Sequence, residues 1–534
     1  MKPPGFEQVF ARPSVWWSIF VALCLLLLAP LLLADVPPIL DYPNHLARLF
    51  ILAHAGHDPV LDKIWRPHWA VIPDLAIDVV ISPLMLVMTP FAAGKIMLAL
   101  ALLMPVAGAV AYSRAAFGRR LYWPMISGLM AYNIIFVFGF INYLIALGGA
   151  LMAAALWLRL RERPFIVRSL AGAACATALF FTHLFGVAFF GVLVGSAELA
   201  ELIARRDRPY GSAVGRAAGL LAVSFAPPAI LWLWVAPHNA VAKLGGWSPV
   251  SKLFYLAAAF AAYHPLPGFL VAVAFFTVAF FWMASRKCQV APGLSIAVVV
   301  ILAAIIVLPF STGGGAYVDS RLPLMLTLAL AAGLCPPPLS ARASGGIAAL
   351  LAAALVVEVA AIGSVWRDHE AVVAEFRASI ASVPPASRVL TVTVPFEPSD
   401  PYWRSTPPGL TAFGVFRTDT HLPALLAIDQ RAFWPLLFSD PSQHPIAVQP
   451  PYDTIAGDGE PPDLPSLIAG HSLSRYWPAA YLKDWPSNFD FVLLLAAGDA
   501  GDLSSLLPDR LRLLNRSPHF ALFAVRKSGD FGSQ

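Results

Sequence analysis

Long apolar runs separated by short basic loops fill the chain from Trp16 to about residue 365. Crossing a bilayer's hydrocarbon takes about 20 apolar residues. The run Trp16–Ala34 satisfies this once and reads as a retained first helix, because no small-residue cleavage pattern ends it. Two stretches, from Arg119 and Arg120 to Arg159 and Arg161, and from Arg168 to Arg205 and Arg206, are about twice that length. Both have basic residues at each end, so each reads as a helical hairpin with its ends on the cytoplasmic side. Their tips fall near Gly139–Asn142 and Thr182–Gly186. Further spans are expected over 92–112, 216–235, 266–284, 291–309, 322–336 and 345–365, with an outer segment carrying His238, Lys243, Trp247, Lys252 and His264. The stretch Asp74–Pro90 is apolar but carries Asp74 and Asp78, and reads as a re-entrant or interfacial helix. The sum is about eleven spans, with the N-terminus cytoplasmic and the C-terminal tail on the outer side.

From Trp366 onward prolines, charges and short apolar runs replace the long ones. Arg388–Val394, Phe489–Leu495 and Phe520–Val525 read as strands, with helical patches at Leu422–Ile428 and Leu503–Leu514. The expected organisation is an α-helical polytopic domain over 1–365, with its first outer loop at 35–91, and a periplasmic α/β domain over 366–534. The tail has no dinucleotide-binding glycine pattern, Walker loop, zinc-ligand spacing or nucleophile elbow. Its aromatics Trp403, Trp434, Tyr476, Trp477 and Trp485 are suited either to stacking on sugar rings or, more simply, to packing.

Composition agrees with a membrane assignment. Hydrophobic residues make up 58%, charged residues 13%, and the mean hydropathy is +0.71, whereas a soluble domain carries about 25% charged residues. The net charge of +5 sits largely in short loops, where it sets topology and gives no footprint for nucleic acid. Cys24, Cys175, Cys288 and Cys335 show neither ligand spacing nor pairing and read as small apolar fillers.

Candidate chemistry begins directly after the first span, in Asp41-Tyr42-Pro43-Asn44-His45-Leu46-Ala47-Arg48. Ionisable groups are costly beside lipid, so a cluster of them marks a functional site. A helix starting near Pro43 puts Asp41, His45 and Arg48 on one face. Asp41 has two readings, helix capping or acid–base chemistry. Arg48 and Arg321 suit either headgroup anchoring or a phosphate clamp, and Arg321 has a further reading as the ion-pair partner of Asp319. His183, at a hairpin tip, is either a packed histidine or a donor contact. Asp74 and Asp78, at i and i+4, are expected on one face and could contact substrate or a cation. Asn142 reads as a turn residue with a lesser reading as a substrate contact. The expected topology brings Asp41, His45, Arg48, Asn142, His183, Asp319 and Arg321 to the same outer membrane level.

This layout resembles the GT-C superfamily of polyprenyl-phosphate-sugar-dependent glycosyltransferases, more narrowly the bacterial multi-pass proteins with an Asp-x-Pro-Asn-His first outer loop. The resemblance covers roughly residues 10–365. It places Asp41 at the first-loop catalytic acid, Asp74–Pro90 at the second juxtamembrane helix, and Arg321 where a lipid-phosphate arginine fits. It implies inverting transfer of a sugar from a polyprenyl-phosphate donor to a glycan, lipid or protein acceptor at the periplasmic face of a bacterial inner membrane. Asp41 would be the general base assisted by His45, and Arg48, His183 and Arg321 would bind the donor. The family's usual paired acid is here Asp41-Tyr42, and the loop near Phe140 lacks an acid, which leaves a divalent cation open. The alternatives are a transporter or flippase of an anionic lipid-linked substrate, or an inactive scaffold of the same architecture. The absence of a convincing internal repeat and the clustering of polar groups at one face weigh against transport.

Overall fold

The computed structural model describes residues 12–204, 210–235, 245–311, 316–394, 406–414, 416–474, 479–496, 498 and 503–527. Arg205, Arg206, His238, Lys243, Trp403, Tyr476 and Trp477 lie outside the described residues. The chain divides into two compact units. The first comprises Met1–Pro30, Leu98–Phe136 and Phe140–Ile362; the second comprises Leu31–Met97, Val137–Gly139 and Gly363–Gln534.

The first unit is helical throughout its apolar runs. Among the described residues of the chain, eight helices are long and apolar enough to cross a membrane: Pro13–Leu32, Pro90–Phe117, Ile141–Arg159, Phe165–Thr182, Leu184–Ala204, Gly211–Val235, Pro265–Ala284 and Ala341–Ile380. The chain is therefore a multi-pass membrane protein. The other three expected spans fall on shorter elements, Leu294–Val307, Val318–Gly333 and a broken pair formed by the 3-10 helix Trp123–Met130 and the helix Ile134–Phe138. Asn133 makes that break. Its Nδ2 donates to the Met130 carbonyl at 2.7 Å, while its Oδ1 accepts from the amides of Ile135 (2.9 Å) and Phe136 (3.1 Å). One side chain thus satisfies the end of one element and the start of the next.

One sequence marker gains partners. Arg168, which the charge pattern assigned to a loop, is buried in the helix Phe165–Thr182 and pairs with Glu198 at 2.5 Å. Trp157 Nε1 donates to the same Glu198 oxygen at 3.0 Å, joining three helices. At the crossing of Pro90–Phe117 with Ile141–Arg159, a side chain on Gly148 would strike the Met104 backbone, so the absence of one sets how closely these helices approach.

The second unit contains a four-stranded sheet in the order Val389–Thr393, Phe491–Leu495, Phe520–Val525, Leu511–Arg516. The first pair is parallel and the others are antiparallel. Three of these strands were legible in the sequence. The fourth was not, because Leu503–Leu514 reads as helical, whereas the helix stops at Leu506 and Pro508 separates it from the edge strand. The helix Ala341–Ile380 continues through Trp366, where the composition changes.

Residues of the first outer loop are built into this same unit. Trp65–Pro67 pairs antiparallel with Ile446–Val448. Asn44 donates to the Leu436 carbonyl at 3.1 Å and accepts from the Phe438 amide at 2.9 Å, as a neighbouring strand would. The stretch 74–90 forms a short helix, Ala76–Ile81, and a 3-10 helix, Ser82–Leu86. It is too short to cross a bilayer. Ile77, Asp78, Ile81 and Met85 are buried, and Val79, Val80, Leu86 and Val87 are exposed.

Candidate active site

Asp41 is the residue before the helix Tyr42–His54. Its side chain makes no capping bond among the described residues, although Asp is among the preferred N-caps. Its Oδ1 instead lies 2.9 Å from Nδ1 of His421, a residue of the C-terminal part of the same unit. The contact falls outside hydrogen-bond geometry and is an ion pair when the ring is protonated. His421 is deeply buried. Burial opposes a charged ring, but the Asp41 carboxylate, with Glu460 and the Gly459 carbonyl, outweighs it and raises the pKa above the ordinary 6.5.

Gly139 closes the other side of Asp41. The Leu40 amide donates to the Val137 carbonyl at 2.8 Å and the Asp41 amide to Phe138 at 3.2 Å. Gly139 has φ +86°, and a Cβ there would sit 2.8 Å from Asp41 Cβ and 2.9 Å from its backbone nitrogen. A left-handed φ and close backbone approach together require glycine. The Gly139 carbonyl accepts from His45 Nε2 at 3.2 Å. Because a carbonyl accepts only, His45 carries its proton on Nε2, and its buried Nδ1 has no hydrogen-bond partner among the described residues. Burial and the nearby Arg48 lower the His45 pKa well below 6.5.

Arg48 is committed elsewhere. Its Nε and Nη2 contact Asp78 Oδ1 and Oδ2 at 2.7 and 3.2 Å, and its Nη1 donates to His444 Nδ1 at 3.0 Å. Both members of the ion pair are 1% exposed. Accepting from Arg48 fixes His444 as a neutral ring, and burial with the Arg48 charge lowers its pKa well below 6.5. Phe438 gathers the three histidines: His444 stacks on it at 5.2 Å, and His45 and His421 meet its ring edge-on at 5.5 and 5.6 Å. Asp74 does not share a helical face with Asp78, as the spacing suggested. It precedes the helix, with φ +66°.

The remaining candidates lie in the first unit. His183 ends the helix Phe165–Thr182 and accepts from the Phe185 amide through Nδ1 at 3.1 Å, covering the start of the next helix. Tyr143 meets the His183 ring at 5.5 Å, and its hydroxyl donates to the Arg321 carbonyl. The Arg321 guanidinium lies over the rings of Phe140 (4.4 Å) and Phe185 (5.4 Å). Asp319 is paired with Lys252 at 3.0 Å, both buried, so the Asp319–Arg321 pairing that the sequence allowed gives way to this one. Lys252 also donates to the Leu308 carbonyl. Asn142 is in the first turn of the helix Ile141–Arg159 rather than in a turn.

A metal held by paired carboxylates does not fit these residues. Tyr42 stands in the second acid's place; it is fully buried, its hydroxyl donates to the Asp35 carbonyl at 3.4 Å, and it packs on Gly94. Among the described residues no group of three or more His, Cys, Asp or Glu side chains is placed to hold a metal ion.

Sequence reasoning missed His421, His444 and Phe438, and named Lys252 only as part of an outer segment. The available signal was the polar run Thr418-Asp419-Thr420-His421, every member of which is buried. Nothing local linked it to Asp41.

No protein-family model and no curated protein matches the chain. Among solved structures, it is similar to the crystal structure of ArnT from Cupriavidus metallidurans bound to undecaprenyl phosphate. The TM-score is 0.52 at 13% sequence identity, over 97% of this chain and 99% of that one. It is also similar to the cryo-EM structure of the arabinofuranosyltransferase AftD from Mycobacteria, with a TM-score of 0.41 at 14% identity, over 95% of this chain and 40% of that one. The ArnT likeness, end to end on both chains, establishes that this membrane protein has the GT-C fold.

Proposed function

We propose that the chain is an inverting membrane glycosyltransferase of a bacterial inner membrane, using a sugar linked to a polyprenyl phosphate and acting at the periplasmic face. The N-terminus is cytoplasmic and residues 366–534 are periplasmic in this reading. ArnT, which shares the fold, is bound to undecaprenyl phosphate in its crystal structure, and this supports the choice of donor lipid. The observation that carries the reading is Asp41 itself. A first-loop carboxylate makes no capping bond to its helix among the described residues and turns toward His421, while its backbone amide is hydrogen-bonded to Phe138 beside Gly139.

In the reaction, the acceptor hydroxyl gives its proton to the Asp41 carboxylate while its oxygen bonds to the anomeric carbon. The bond from that carbon to the phosphate oxygen breaks on the opposite side, and the electron pair leaves with the polyprenyl phosphate. Base catalysis of this kind contributes about 10²–10⁴-fold. Arg321 offsets charge on the departing phosphate, the electrostatic contribution that is usually largest, with His183 supporting it. His45, a neutral ring with an open Nδ1, assists Asp41. Arg48 acts with Asp78 as an internal brace, since its guanidinium is held by Asp78 and His444. Asp74, Asn142 and Asp319 are left as secondary substrate contacts. No step requires a metal ion.

The test uses the full-length protein in detergent with a panel of radiolabelled polyprenyl-phosphate hexoses and pentoses. Release of undecaprenyl phosphate without a second compartment separates transfer from flipping. Asp41→Asn should lower transfer by at least about 10²-fold with an unchanged melting temperature. Undiminished transfer by that variant refutes the assignment.

A further inference from the structure

We propose that His421, supplied by the C-terminal part of the second unit, is the positioning residue of Asp41, so that the base works as a carboxylate–imidazole dyad drawn from two distant chain segments. The inference rests on Asp41 being the base. It starts from the 2.9 Å contact, with side-chain exposures of 8% for His421 and 13% for Asp41. Two groups so placed are shielded from solvent, where their attraction is stronger than at a surface.

The ring cannot readily turn away. Trp434 meets it at 6.0 Å and 65°, and Phe438 at 5.6 Å and 82°. The segment that carries it is also pinned. Arg417 and Asp419 form a buried bidentate pair at 2.9 and 2.7 Å, the Thr418 amide donates to the Leu410 carbonyl at 3.1 Å, and the Thr418 hydroxyl donates to the Gly409 carbonyl. On the far side the Asp41 amide donates to the Phe138 carbonyl at 3.2 Å, which fixes the backbone that carries the carboxylate. The backbone of Asp41 is therefore held on one side and its carboxylate faces His421 on the other, and with Oδ1 turned to His421 it can take the proton on Oδ2. The titratable groups facing His421 are Asp41, His45 and Glu460, with the Arg417–Asp419 pair on its own segment. Against the opposing effect of burial, their balance raises the His421 pKa above the ordinary 6.5, with the Asp41 carboxylate the largest favourable contribution.

Two variants separate positioning from packing. His421→Ala removes the partner. His421→Asn puts an amide nitrogen near where Nδ1 stands, a polar partner that does not titrate. Misplacement of a reacting group by about 1 Å costs up to about 10²-fold, so His421→Ala should lower kcat about 10- to 100-fold with KM within about twofold. His421→Asn should recover most of that loss. Because the folded pKa is raised, the charged form is present at low pH and lost as pH rises through it. Wild-type kcat should therefore decline on the alkaline side of that value, and His421→Asn should lack the decline. A wild-type kcat in His421→Ala overturns the dyad, as does His421→Asn with Ala-like activity and an unchanged pH profile.

A turnover-independent readout is NMR titration of isotope-labelled histidines in the full-length protein. The His421 pKa should fall in Asp41→Asn. If wild type turns over no polyprenyl-phosphate sugar yet that shift is seen, the glycosyltransferase reading fails and the pairing stands. Normal turnover without the shift overturns the dyad alone.

Discussion

Replacing Asp78 by Leu tests whether Arg48 braces the first-loop helix or binds donor phosphate. The wild-type guanidinium makes two contacts to Asp78, at 2.7 and 3.2 Å, and one to His444, at 3.0 Å, with both ion-pair members 1% exposed. Removing one partner of a buried pair costs about 3–5 kcal/mol because a charge is left uncompensated, whereas replacing both by apolar residues is close to neutral. At about 1.4 kcal/mol per decade, Asp78→Leu should lower amide-exchange protection of Tyr42–His54 roughly 100- to 3,000-fold. The double variant Arg48→Met/Asp78→Leu should recover much of that loss, the remainder of about 1–3 kcal/mol coming from the His444 Nδ1 left without its donor. Hydrogen-exchange mass spectrometry on the full-length protein in nanodiscs reads both. Unchanged protection in Asp78→Leu, or no recovery in the double variant, refutes the brace. The double variant also decides the ligand question. If the proposed function holds, a polyprenyl phosphate should bind the double variant and wild type alike, and binding to wild type but not to that stable variant would return Arg48 to the donor site.

Gly139→Ala places a methyl group 2.8 Å from Asp41 Cβ and 2.9 Å from its backbone nitrogen, at φ +86°. The left-handed backbone alone costs about 1–3 kcal/mol, and displacing Asp41 should lower transfer at least about tenfold; transfer equal to wild type would show that the approach is not tight. The three histidines around Phe438 give the second unit a two-sided pH dependence. His45 and His444 have folded pKa values well below 6.5, so the unfolded chain binds more protons and stability falls as pH drops below 6.5 toward those values. His421 acts with the opposite sign: its contribution is fully present below 6.5 and is lost as pH rises through its raised folded value. Exchange protection of Tyr42–His54 against pH should show a maximum, and His444→Gln should flatten its acid side; a flat wild-type profile refutes this.

Much of the architecture was legible because each helix carries its own length and its own basic ends. The hairpin of Phe165–Thr182 and Leu184–Ala204 follows from one apolar run with arginines at both ends. Spacing was less dependable where one residue breaks an element. Asn133 splits an expected span, and the φ of Asp74 takes it off the face of Asp78. In the site, Asp41, His45 and Arg48 were visible because ionisable groups beside lipid demand a reason. Their partners were not. His421 and His444 lie in a segment whose local pattern says only that polar residues sit among apolar ones. Burial makes that pattern informative, and burial is a tertiary property.

The same contacts bear on the C-terminal tail. Reading it as a sugar-stacking module gives Trp434 and Trp485 exposed faces, yet they are 0% and 1% exposed. Their rings are spent on the core of the second unit. The first-loop residues, for their part, are satisfied only with the tail present. Asn44 exchanges two hydrogen bonds with Leu436 and Phe438, Arg48 donates to His444, Arg431 pairs with Asp58 at 3.0 Å, and Gln449 donates to the carbonyls of Asp62 and Trp65. A buried polar group left unpaired costs about 1–3 kcal/mol, and Asn44 and Arg48 are both buried, so losing their partners would remove a sizeable part of the margin by which a domain is stable, about 5–15 kcal/mol. The first loop and the tail therefore fold as one body, and the carboxylate assigned as the base takes its orientation from both.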